Sequence, residues 1–120
     1  MKILMVFLGG GLGSVMRFGL SKLFLQCSTS IPLGTLISNA LASAMLALFY
    51  VFLMQKSNDQ QMLYAFLAIG LCGGFSTFST FSLESIQLGL NGQWAWLFFN
   101  LMANVIICFS LVYFLVKFTR

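Results

Sequence analysis

The residues of this chain that could do chemistry are mostly neutral hydrogen-bond donors, and they cluster. Residues 72 to 84, CGGFSTFSTFSLE, contain two adjacent glycines, and six Ser or Thr hydroxyls fall between positions 76 and 85. Phe75, Phe78 and Phe81 recur every three residues among Ser76, Ser79, Thr80 and Ser82, so rings and hydroxyls share the same turns. Thr35, Asn39 and Ser43 form an i, i+4, i+8 stripe, and Asn100 and Asn104 repeat the i, i+4 spacing, followed by Ser110. Amide N–H groups, hydroxyls and the positive edges of aromatic rings all favour an anion. The plainer reading of such residues is helix packing and interhelical hydrogen bonding, worth about 0.6 kcal/mol per contact on average in membranes.

Other chemistries are closed by what is missing. The sequence has no histidine, which removes a Ser-His-Asp triad, a histidine metal site and a histidine proton relay. Its two carboxylates, Asp59 in the polar link SNDQQ and Glu84 near the end of an apolar run, make a poor acid–base pair. Cys27, Cys72 and Cys108 are odd in number and lack a CxxC spacing, so they read as packing residues. GGGLGS, residues 9 to 14, is not followed by Lys, and GxxxxGK[ST] therefore fails. The net charge of +4 is spread over Lys2, Arg17, Lys22, Lys56, Lys117 and Arg120 with no basic cluster, which leaves nucleic-acid binding unsupported.

The elements that position these residues follow from hydropathy. Of 120 residues 60% are hydrophobic and 7% charged, with a mean hydropathy of +1.00, whereas a soluble domain carries about 25% charged residues. Apolar stretches at residues 3 to 25, 31 to 54, 62 to 90 and 94 to 116 each exceed the roughly 20 residues that a helix needs to cross a bilayer. The links between them are short, so consecutive helices are antiparallel neighbours in a single four-helix transmembrane domain over residues 1 to 120. The first stretch runs through Gly9 and Gly13 to Arg17 without an A-x-A-like site, and it reads as a retained helix rather than a signal peptide.

Within that frame, Gly9, Gly13 and Arg17 share one helix face, and the glycines predict a close helix contact. Arg17 in mid-bilayer would cost about 2.5 to 3.5 kcal/mol, so it either snorkels to headgroups or lines an aqueous vestibule that gathers anions. Gly73 and Gly74 each weaken a helix by about 1 kcal/mol relative to Ala, and a break there would free carbonyl oxygens beside a cavity. Lys2, Lys56, Lys117 and Arg120 lie on one side against Lys22 and Arg17 on the other, a weak bias compatible with insertion in both orientations.

These segments closely resemble the CrcB/Fluc family of small fluoride channels, in order and across all four spans. The motifs are GGGLGSVMRF in the first span, GTLISNALAS in the second and GGFSTFSTFSLE in the third. The resemblance implies an all-α integral membrane protein of four helices with a break in the third, assembled as an antiparallel dual-topology homodimer in a bacterial plasma or inner membrane. It implies passive export of fluoride from the cytoplasm through two pathways, with a structural sodium ion at the dimer centre. By motif position, Phe78 and Phe81 match the pore phenylalanines, Asn39 the pore asparagine, and Ser79 and Thr80 the hydroxyls of the path. Thr35 and Asn104 join the pathway set, Arg17 matches the vestibule arginine, and Gly73 and Ser76 match the backbone carbonyl donors to sodium. Ser76 stands where many members have Thr, a change that leaves the main-chain carbonyl untouched. Two other readings remain open: a proton-coupled exporter like the small multidrug-resistance transporters, with Glu84 as its only candidate proton carrier, and a non-transporting membrane subunit.

Overall fold

A computed structural model describes residues 1–25, 32–54 and 60–119. The expectations for Cys27, Lys56, Asp59 and Arg120 lie outside the described residues. All the regular structure described is helical: α1 (Lys2–Leu25), α2 (Leu33–Met54), α3 (Gln61–Tyr64), a π-helical stretch π1 (Ala65–Cys72), α4 (Gly73–Phe75), α5 (Phe78–Leu90) and α6 (Trp94–Thr119). Four segments are long and apolar enough to cross a membrane: Lys2–Phe24, Leu33–Leu53, Gln61–Leu90 and Trp94–Thr119.

The helix ends follow local chemistry. Pro32 precedes α2 and offers its carbonyl to the Leu36 amide at 3.2 Å, which starts the helical ladder without needing an N–H from proline. At the end of α5, Gly92 takes φ +73°, its amide donates to Gly89 O at 3.0 Å, and Gln93 N donates to Leu88 O at 2.8 Å. Those paired bonds form a Schellman cap, and the left-handed residue it needs is the glycine. The cap folds α6 back along α5 within three residues.

Packing sorts the spans into close pairs. α1 packs chiefly on π1 and α4, while α2 packs chiefly on α6. The first pair meets through small residues: a Cβ on Gly9 would overlap Phe66 O, and one on Gly74 would overlap Gly10 O. The expected glycine face of α1 is therefore a real seam, because only backbone bare of side chains lets the helices approach so closely. Lys2 Nζ donates to Gln61 Oε1, so α1 and the third span start at the same end and run parallel.

The interior is more polar than the outside. Thr35, Ser38, Thr77, Ser85, Asn100 and Asn104 are buried, beside small apolar residues such as Ala42, Ala47, Ala65 and Ala68. Large apolar side chains, among them Phe7, Leu23, Phe52, Phe98 and Phe118, cover the exterior. A hydrocarbon surround accepts such a surface, whereas buried polar groups must find partners in the protein. This is a multi-pass membrane protein.

Candidate functional site

The third span leaves the helical conformation at two residues. α4 ends at Phe75, Ser76 is extended (φ −81°, ψ 155°), Thr77 is extended (φ −152°, ψ 121°), and α5 begins at Phe78. Thr77 is the N-cap of α5: its Oγ1 accepts from Thr80 N at 3.2 Å, satisfying one of the free amides of the first turn. Its own amide donates to Asn39 Oδ1 at 2.8 Å. In an uninterrupted helix that amide would serve the Gly73 carbonyl four residues earlier. Asn39 of α2 thus takes the donor that would otherwise continue the helix. Gly73 and Gly74 themselves are helical.

Beside this point lies a cavity of about 260 Å³. Asn39 and Ser43 of α2, Ser76, Thr77, Phe78 and Phe81 of the third span, and Asn104, Val105, Cys108 and Phe109 of α6 line it. Phe78 and Phe81 lie with ring centroids 5.6 Å apart and planes tilted by 52°. They differ in support: Phe81 is 6% exposed and Phe78 is 79% exposed. Asn39 Nδ2 donates to Asn104 Oδ1 at 3.0 Å and reaches Thr77 O at 3.4 Å, so one of its amide hydrogens is only loosely engaged. The wall offers amide, hydroxyl and ring edge, without a formal charge.

The remaining candidates are near but not on this wall. Thr80 Oγ1 accepts from Thr77 Oγ1 at 3.2 Å and from Arg17 Nη1 at 3.4 Å, which ties α1 to the first turn of α5. Ser79 is exposed, and its hydroxyl lies 3.1 Å from Thr77 Oγ1. Thr35 is buried and donates to Glu84 Oε1 at 2.8 Å, three residues along α5 from Phe81 of the cavity wall. Buried Arg17 Nε and Glu84 Oε2 have no hydrogen-bond partner among the described residues. The structure therefore brings Asn39, Phe78, Phe81 and Asn104 together, and holds Thr35, Ser79, Thr80 and Arg17 along the same helix by hydrogen bonds.

For a cation, side chains offer little: no group of three or more His, Cys, Asp or Glu occurs among the described residues. The main chain offers more. The Gly73 carbonyl has lost its helical donor to Asn39, Gly73 is exposed, and Ser76 is out of the helix. Carbonyl oxygens in that condition suit a hard cation.

Residues that spacing alone did not single out are Thr77, whose N-capping role was hidden inside a run of hydroxyls, and Cys108, which faces the cavity; Ser43, the last residue of the α2 polar stripe, lines it as well. Asn100 carried a visible signal, its i, i+4 spacing from Asn104. It is 1% exposed.

Residues 4–116 match the family described as CrcB-like protein, Camphor Resistance (CrcB). The chain belongs to the CrcB family. Among its relatives, a protein of Phocaeicola vulgatus is 40% identical over 88% of this chain and 87% of its own length. One from Pyrococcus abyssi is 39% identical over 92% and 89%, and one from Escherichia fergusonii 36% identical over 91% and 86%. Each of these CrcB relatives carries the name fluoride-specific ion channel FluC.

Proposed function

We propose that this protein is a passive, fluoride-selective channel that exports fluoride from the cytoplasm. The observation that carries the reading is the convergence of the Asn39 amide and the Phe78 and Phe81 rings on one uncharged cavity. Fluoride is small and strongly hydrated, and a passage must replace its water with donors without holding it too tightly. A loosely engaged amide hydrogen and polarised ring edges meet that need, and the names of the CrcB relatives point to the same ion. Ser79, Thr80 and Thr35 extend the donors along α5, with Arg17 drawing anions towards the path.

The channel works as an antiparallel homodimer. Phe78 is almost bare in the single chain, and a second copy packed there would close the cavity into a pathway. The Gly73 and Ser76 carbonyls of both copies would hold a sodium ion at the dimer axis, and the ion would supply local positive charge and bridge the subunits. Gly73, exposed and with open space around it, leaves the main chain of the third span accessible to a partner beside Phe78.

Liposomes containing only this protein test the reading. Fluoride efflux followed with an ion-selective electrode should proceed without an imposed proton gradient, with chloride retained, and should fall when sodium is replaced by a bulky organic cation. Chloride leaving as fast as fluoride would overturn selectivity. A strict need for a proton gradient would favour the exporter reading through Glu84, and no flux would leave a membrane subunit.

A further inference from the structure

Five hydrogen bonds form a closed circuit through the heart of the molecule, and every one runs in the same direction. Thr77 N donates to Asn39 Oδ1 (2.8 Å), and Asn39 Nδ2 donates to Asn104 Oδ1 (3.0 Å). Asn104 Nδ2 donates to Asn100 Oδ1 (3.0 Å), and Asn100 Nδ2 donates to Ser85 Oγ (3.0 Å). Ser85 Oγ donates to Phe81 O (2.7 Å). The circuit leaves α5 at its N-cap, crosses α2 and α6, and returns to α5 at Phe81.

The two ends fix the polarity of everything between them. A backbone amide can only donate, so Asn39 must turn its oxygen to Thr77. A serine hydroxyl has one hydrogen, and that of Ser85 is used on the Phe81 carbonyl, so Ser85 can only accept from Asn100. Asn100 must then present Oδ1 to Asn104, whose second Nδ2 hydrogen goes to Asn100 O at 3.1 Å. Both amide hydrogens of Asn104 are thereby consumed, and only its oxygen turns towards Asn39. Were Asn104 reversed, two NH2 groups would oppose each other at the cavity wall.

We infer that Ser85 and Asn100, neither of which lines the cavity, are positioning residues for ion selectivity. They keep the Asn104 oxygen turned to Asn39, which reinforces from the far side the donor orientation that the Thr77 amide imposes on Asn39, while Phe81 is held from behind through its carbonyl. Ser85 is 4% exposed and Asn100 1% exposed, so water does not compete for these bonds. The inference rests on the fluoride-channel reading for its readout in flux, but its geometry can be read without it.

The test compares Ser85→Thr with Ser85→Val, two β-branched side chains of similar shape that differ in the hydroxyl. In liposomes, Ser85→Thr should conduct fluoride near the wild-type rate per channel. Ser85→Val should assemble to the same extent but lose about tenfold in fluoride flux, the rate equivalent of one hydrogen bond, and leak more chloride. In the same two proteins, NMR of the side-chain amides should show the Asn100 and Asn104 resonances moved by Val and left in place by Thr. Equal behaviour of the two variants by both measurements, whether both wild-type or both impaired, would overturn the proposal. A wild-type protein that passes no fluoride would sink the channel reading alone, because the amide resonances still decide the circuit. If Ser85→Val does not assemble, Asn100→Ser, which shortens the link, takes its place under the same criteria.

Discussion

Phe78 and Phe81 occupy one cavity wall, yet they ask different questions of the chain. Phe81 is buried against its neighbours, so Phe81→Ile removes packing as well as a ring. Phe78 is 79% exposed in the single chain, and Phe78→Ile should shift the stability of the folded protomer by no more than about 0.5 kcal/mol. Its loss of most fluoride flux, measured by electrode in liposomes at matched dimer content, would therefore report the ring acting on the ion. Flux at the wild-type level in both Phe→Ile variants would remove the rings from the pathway. Asn39→Ala is a harsher change, because it removes the donor and also strands the Thr77 amide and the Asn104 oxygen. A buried group left without its partner costs about 1 to 3 kcal/mol, so that variant should lose thermal stability together with flux.

Among the elements, the seam between α1 and the third span sets the sharpest demand on sequence. A Cβ on Gly9 would sit on the Phe66 carbonyl, and the nearest other backbone atom, Leu71 N, would lie at 2.9 Å, so Gly9→Ala must push two helices apart. Overpacking of that kind costs about 1 to 3 kcal/mol. Gly11, two residues along the same helix, has nothing within 4 Å, and Gly11→Ala should be neutral or slightly stabilising because Ala is the better helix former. Thermal unfolding in detergent, followed by the fraction that remains monodisperse, separates the two. The four spans and this glycine face were legible in the sequence, since the length of an apolar run and an i, i+4 spacing are properties of one helix. The positions of the extended residues were not. Gly73 and Gly74 look like the weak point, but Gly74 is spent on close approach to Gly10, and the helical bond is lost where Asn39 captures the Thr77 amide. That capture joins residues 38 positions apart, and no local pattern encodes it. Asn39 and Asn104 were marked by type and spacing, whereas Ser85 looked like any serine in an apolar helix.

For the whole molecule, the distribution of positive charge is nearly even between the two ends, with Lys2 and Lys117 at one and Lys22 and Arg17 towards the other among the described residues. The chain is expected to insert both ways. A single cysteine at Gln93, in the exposed cap between α5 and α6, should react with a membrane-impermeant maleimide in part from each side once Cys27, Cys72 and Cys108 are replaced. Labelling from one side only would exclude an antiparallel assembly. The chain as a whole also grips α5 in an uncommon way: α1 through Arg17 and Thr80, α2 through Thr35 and Glu84 and through Asn39 and Thr77, and α6 through Asn100 and Ser85. Closing these contacts inside a bilayer exchanges lipid neighbours for protein ones and takes little apolar surface out of water. The heat-capacity change of that step is therefore small, since such changes come from hydration of exposed surface. A soluble core loosens on cooling as its hydrophobic drive fades. The clasp around α5 has little such drive to lose, so it is expected to hold where a soluble core would loosen as the membrane is chilled.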